Sequence, residues 1–305
     1  MRRRDRRAPD QSTLVGKQGF APFLFSGPAI AVVTLVLAYP VLYALYESLF
    51  DTDRLGGDKR FVGIGNYLDL MADPDFWAAL GRSGIFIAGC LLLGQSLAIV
   101  FAFALYKAVR RLRFLRVMTI LPYIVSSVAA AVMFRIVFNT DFGPPNQLIE
   151  LLGGNGPSWL VQPPLAMFVV IVAQVWTDLP LSILLILGGL QTIETSHLDA
   201  ALVDGATGWT RARYISLPLI APQLALSTIW LSYGCLTALS VIFALTGGGP
   251  GTATQVLPLE MYTAAFRRLD MPHALAIANV ILLLNAILTL TYAMVARRFG
   301  SEDER

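Results

Sequence analysis

Asp178 is the residue whose chemistry most needs explaining, because it stands two residues before Pro180 inside a long apolar run, LAMFVVIVAQVWTDLPLSILLILGGL. A carboxylate at the centre of a bilayer costs about 2.5–3.5 kcal/mol on insertion scales, so it must face a partner or a wet cavity. Arg135 does not suit as the partner. It lies close to the outer end of its own apolar run, and Asp178 lies about thirteen residues below the outer end of the next, a depth mismatch of about 15 Å at 1.5 Å per residue. Arg135 is expected to reach the outer interface along its stem, while Asp178 either faces a wet pathway or caps the backbone opened by Pro180. Gln95, Gln174, Trp176, Trp230, Tyr233 and Asn285 fall at mid-depth of their runs. Hydrogen-bonding groups among aromatic rings can hold a polyhydroxylated ligand, and the same groups can equally join one helix to another.

Other chemistries lack their parts. No G-x-x-x-x-G-K-[ST] phosphate loop occurs, and the glycines from Gly247 to Gly251 are followed by no lysine. The two histidines, His197 and His273, are expected on opposite sides of the membrane, which excludes a two-histidine metal site or proton shuttle. Ser126, Ser127, Ser182, Ser227 and Ser232 have no histidine base in reach, so hydrogen bonding between helices is their expected role. Cys90 and Cys235 both lie in apolar runs and read as small buried hydrophobes. No catalytic residue and no metal ligand is assigned.

The elements that must carry these residues are membrane helices. The chain has 305 residues, 56% hydrophobic and 14% charged, against about 25% charged for a soluble domain. Six runs reach or exceed the length that crosses a bilayer, at about 22–49, 85–106, 117–138, 165–190, 219–245 and 274–295. The first is too long for the apolar region of a cleaved signal. Between the runs we expect an interfacial helix at Pro74 to Leu80, a short helix at Asn146 to Leu152 and an amphipathic piece near Leu259 to Arg268. The expected fold is all-α and polytopic, with a basic tail at 1–19, a transmembrane domain at 20–298 and a short charged tail at 299–305.

Basic residues set the sides, since Lys and Arg are retained in cytoplasmic loops. The N-terminal tail, the KAVRRLRFLR connection, the polar loop after the fourth run and the C-terminal tail together hold 16 of the 23. Both termini and the 191–218 loop are therefore expected inside. That loop reads as a helical hairpin: Ser196 with Asp199 three residues on has capping-box spacing, and Gly205 fits a C-cap or turn. A second helix is expected from about Thr207 to Ser216, stopping before Pro218. An ordered polar hairpin between membrane spans suggests docking to a partner.

At this hairpin the sequence resembles the coupling (EAA) loop of ABC-importer permeases. The matching residues are Asp199-Ala200-Ala201, Asp204-Gly205-Ala206, Ile215-x-Leu217-Pro218 and Pro222. Ala38-Tyr39-Pro40, FVGIGNY from Phe61 to Tyr67, ILPYIVS from Ile120 to Ser126, Trp176 with Pro180, and LTGGGPGTATQVLPLEMY extend the likeness to the carbohydrate-uptake (MalF/UgpA-like) group. Asp199 stands where Glu is usual, Arg213 where an aromatic is common, and Met271-Pro272-His273 where Gly-Tyr is typical. The resemblance implies a type I importer fold and ATPase contact through Ser196, Leu198, Asp199, Ala200, Ala201, Asp204, Gly205, Ala206 and Pro218. It also implies a second homologous permease, an ABC ATPase dimer that binds ATP and Mg, and an extracytoplasmic solute-binding protein. The expected setting is the lipid bilayer of a prokaryotic cytoplasmic membrane, with no cofactor on this chain and no nucleic-acid partner. An ion-coupled secondary carrier and a membrane-embedded enzyme are the rival readings. The first would show inverted repeats and paired buried charges, the second a catalytic pair.

Overall fold

The computed structural model describes residues 21–52, 59–108 and 113–300. The tail at 1–19 and residues 301–305 lie outside them. Two units are distinguished, Met1–Glu47 and Ser48–Arg305. In the first, α1 (Ala21–Glu47) is apolar around its whole circumference, contains Pro28 and Pro40, and stacks Tyr39 on Tyr43 at 5.9 Å between ring centroids.

The second unit opens with a feature an all-helical expectation omits, a small antiparallel hairpin of β1 (Phe50–Thr52) and β2 (Lys59–Phe61) with Phe50 opposite Phe61. It leads into α2 (Gly65–Ala72). Next, α3 runs unbroken from Pro74 to Ala108. The expected interfacial helix at Pro74 to Leu80 is therefore not separate but is the N-terminal end of this helix. Asp73 caps it by accepting the Asp75 amide at 2.8 Å, Pro74 sits at the first position, and Gly81 and Gly84 are too weak as breakers to interrupt it.

The third apolar run is not one straight helix. α4 (Arg113–Ile124) and α5 (Ser127–Val137) meet at 105°. Pro122 leaves a main-chain acceptor open near the end of α4, and Ser126, with ψ 137°, turns the chain out of helical geometry. After α6 (Pro144–Leu151), α7 (Pro163–Thr192) passes through the interior with half of its apolar window buried, against 17% for the last helix. Within the second unit α7 is thus a strut against which α3, α4 and α5 pack. Val169, Val170, Ala173 and Ile186 are fully enclosed.

α8 (Thr195–Val203) and α9 (Gly208–Arg211) form the polar hairpin. A π-helical turn at Ala212–Ser216 then carries the chain into α10 (Leu217–Leu219). The helix therefore does not stop before Pro218: the wide turn makes room for the proline ring, and helical geometry continues through it to Leu219. The break comes at Ile220, where the path bends by 78° into α11 (Ala221–Leu236). A second break separates α11 from α12 (Leu239–Leu245). α13 (Leu257–Tyr262), continued by a π turn at Thr263–Arg267, precedes α14 (Met271–Gly300). Among the described residues four helices are long and apolar enough to cross a membrane by themselves, and up to six spans result if each bent pair counts as one.

Candidate functional site

The seam between α7 and α11 gathers most of the mid-depth polar residues. Gln174 and Asp178 are four apart on α7 and so share a face. The Gln174 Nε2 donates to Asp178 Oδ2 at 2.7 Å and reaches the Gly234 carbonyl at 3.4 Å. Opposite them, α11 brings Trp230, whose indole Nε1 donates to the Asp178 carbonyl at 3.3 Å. Gly234 makes this approach possible, since a Cβ there would collide with the Asp178 carboxylate. That carboxylate makes no bond to the main chain among the described residues, so it does not cap the backbone at Pro180. Because the carboxylate requires a donor, the Gln174 amide orientation is fixed, and its Oε1 is buried without a partner.

Aromatic rings continue the seam. Trp230 lies 6.1 Å from Tyr123 of α4 and 6.4 Å from Tyr233, whose side is exposed. Trp176 does not join this group. Two residues from Asp178, it is about 200° around α7 at 100° per residue, packs edge-on against Phe134 at 5.8 Å, and lines a cavity of about 510 Å³ with Met118, Pro122 and Pro180. The residues expected on one pathway thus occupy two faces of α7. Gln95 is further away still, tying α3 to α11 by accepting from the Ser227 hydroxyl at 2.9 Å and donating to the Leu224 carbonyl at 3.5 Å. Asn285, half-buried on α14, makes no hydrogen bond among the described residues.

In the hairpin, Glu194 rather than Ser196 occupies the N-cap of α8. Ser196 is already helical and its hydroxyl bonds Glu194 Oε2 at 3.2 Å, so the capping-box reading is corrected: the helix starts two residues earlier than that spacing requires. The other end is as expected. Gly205, at φ +77°, donates to the Leu202 carbonyl and Ala206 donates to Ala201 at 2.8 Å, the paired bonds of a Schellman stop. Ala201 is buried, Leu198 and Ala206 are half-buried, and Ser196, Asp199, Ala200, Asp204, Gly205 and Pro218 are exposed. Leu202 and Val203, 49% and 87% exposed, add an apolar tip that residue-by-residue matching left out.

Sequence reasoning also missed the residues that fix the other end of the bundle. FVGIGNY proves to be a clamp: Asn66 Nδ2 donates to the Ser48 and Phe50 carbonyls at 2.8 and 2.9 Å, and Asn279 of α14 donates to the Tyr67 hydroxyl at 2.9 Å. The loop before α13 is knotted by Thr246 and Thr254, 2.7 Å apart, and pinned to α3 by Arg82 donating to the Gln255 carbonyl at 2.8 Å. Glu260, 3% exposed, takes bonds from Gln255 and from Arg268, the latter at 2.6 Å. The motif letters marked these places. Their partners, up to 212 residues away, carried no local signal.

Residues 91–301 match the family described as "binding-protein-dependent transport system inner membrane component". A probable ABC transporter permease protein of Pyrococcus horikoshii is 31% identical over 94% of this chain and 96% of its own length. The trehalose/maltose transport system permease protein MalF of Thermococcus litoralis is 30% identical, covering 91% of this chain and 92% of its own. Among solved structures, a chain of a bacterial ABC transporter involved in the import of the acidic polysaccharide alginate superposes with a TM-score of 0.75. It covers 95% of this chain and 99% of its own, at 19% identity, which establishes a shared fold.

Proposed function

Since this chain belongs to the family of binding-protein-dependent transport system inner membrane components, we propose that it is one permease half of an ATP-driven importer that brings a sugar or sugar-like solute into a prokaryotic cell. The trehalose/maltose relative supports the solute class. Each bent pair counts as one span in this reading, giving six, with both termini and the hairpin in the cytoplasm. The basic-residue distribution supports those sides.

The observation that carries the mechanism is the direct path from hairpin to seam. The α8–α9 turn is locked by its Schellman bonds, and the next helices lead through one 78° bend into α11, which bears Trp230, Tyr233 and Gly234. An ATPase dimer holding ATP and Mg would seat Leu198, Asp199, Ala200, Ala201, Asp204 and Gly205, with the exposed Leu202 and Val203 entering its groove. Closure of that dimer would tilt α8 and α9 as a lever and shift α11 along α7. Asp178, Gln174, Trp230 and Tyr233 then change their exposure to the pathway, where the orphan Gln174 Oε1 can accept a solute hydroxyl. Gln95 serves in this account by holding α3 to the moving helix, as Tyr292 holds α14 through Ser232 at 3.2 Å, while Asn285 keeps its amide available to the solute. Trp176 lines the cavity on the other face. A second homologous permease completes the pathway, and an extracytoplasmic solute-binding protein delivers the solute.

Vesicles containing this chain, its permease partner and the ATPase should accumulate solute when ATP is enclosed and the binding protein is supplied outside. Accumulation driven by a proton or sodium gradient without any ATPase would overturn the proposal. Alanine at Asp178 or Trp230 should reduce uptake at least tenfold while the complex still assembles.

A further inference from the structure

A groove of about 470 Å³ opens where the ends of α3 and α7 meet the hairpin, and no role above uses it. Its walls are apolar, with Ile99, Val100 and Phe103 from α3, Leu190 from α7, and Leu198 and Leu217 closing the hairpin side. From Ile99 to Lys107 the α3 wall runs about 12 Å along the helix at 1.5 Å per residue. Val100, 62% exposed, opens it sideways toward the surrounding bilayer.

The mouth has a different chemistry. Lys107, Arg211 and Trp209 stand there, and no carboxylate lines the groove. Lys107 is exposed and Arg211 half-buried, and neither makes a hydrogen bond or ion pair to this chain among the described residues. Arg213, two residues from Arg211, instead lies over the Tyr214 ring. A half-buried guanidinium without an acceptor, beside an ammonium, fits a phosphate with the fork geometry of arginine. Trp209, 69% exposed, is the residue type that settles at headgroup level.

We propose that this groove holds one anionic phospholipid of the membrane, its headgroup phosphate between Lys107 and Arg211 and an acyl chain along α3 from Phe103 to Ile99. Charge complementarity selects an anionic headgroup, and the lateral opening at Val100 selects a ligand that arrives through the bilayer. Of the residues assigned to the ATPase contact Leu198 alone also lines the groove, and Leu202 and Val203 at the hairpin tip do not. Basic pockets between membrane helices recognise acidic headgroups in this way, each Lys or Arg adding a roughly equal increment of affinity.

The test is native mass spectrometry of the assembled complex titrated with phosphatidylglycerol, a measurement that needs neither ATP nor solute and so stands apart from the coupling account. The wild type should retain one phosphatidylglycerol at this chain. The Lys107→Ala/Arg211→Ala double variant should bind it about thirtyfold more weakly. Val100→Trp, which keeps both cations and fills the groove, should also lose it. Phosphatidylcholine of equal chain length should bind as weakly as phosphatidylglycerol does to the double variant, and glycerol phosphate should not compete. Equal retention by the variants, equal binding of phosphatidylcholine or competition by glycerol phosphate would each overturn the proposal. So would a photo-crosslinker in place of Val100 that captures the ATPase or the second permease instead of lipid.

Discussion

Two polar interruptions of the membrane helices, the hairpin at 191–218 and the loop at 246–270, are built in opposite ways. The loop is finished within this chain: Glu260 and Thr254 are buried, Ser83 accepts the Leu257 amide at 2.8 Å, and Arg82 reaches across to Gln255. Among the described residues the hairpin's side-chain hydrogen bonds are local, such as Ser196 to Glu194 and Thr192 to the Gly189 carbonyl, and Asp199, Leu202, Val203 and Trp209 are exposed. One region stabilises the bundle by burying its polar groups. The other keeps a rigid shape with its surface unspent, which is what a lever for a separate partner requires.

Substitutions can sharpen or break that contrast. Glu260→Ala should have the largest effect, because it leaves Gln255 and Arg268 without their buried acceptor, at a cost of about 2–3 kcal/mol. Thermal unfolding of the solubilised chain reads this, and a loss below about 1 kcal/mol would mean the loop is not the stabilising region. Gly234→Ala comes next, since the new methyl meets the Asp178 carboxylate. Overpacking of that kind costs about 1–3 kcal/mol, and uptake should fall with it. Gly205→Ala meets no atom within 4 Å, so it carries only left-handed backbone strain, about 1 kcal/mol, seen as faster amide exchange confined to the hairpin. Ser196→Ala should change stability by less than about 0.5 kcal/mol, where a true N-cap would cost about 1 kcal/mol.

The sequence made legible what depends on near neighbours. Apolar runs marked the long helices, Gly205 marked the hairpin stop, and Pro144 with Pro145 opened α6 close to where a helix was expected. The runs 117–138 and 219–245 read as continuous spans, with Pro122 and Pro222 noted only within motifs, and neither letter tells how far a chain bends. The 105° turn after α4 and the 78° turn at Ile220 depend on what each half packs against. The π turn that carries the helix past Pro218 has no local signature. At the site, depth counting placed Gln174, Asp178, Trp230 and Tyr233 together because they share a level in the membrane. It could not separate Trp176 from Asp178, since depth ignores the azimuth around a helix. Nor could it show that Gly234 admits the carboxylate, because that depends on which face of α11 meets α7.

The central claim is that the hairpin acts as a rigid lever between ATP hydrolysis and the α7–α11 seam. Gly205→Pro tests it most directly, because proline cannot adopt φ +77° and removes the amide that bonds Leu202, while Asp199→Arg tests the same surface without disturbing the turn. ATP hydrolysis and solute uptake should be measured together in vesicles holding the assembled complex. The account predicts that both variants insert and that the ratio of solute taken up to ATP hydrolysed falls at least tenfold. Undiminished uptake per ATP in both would contradict it.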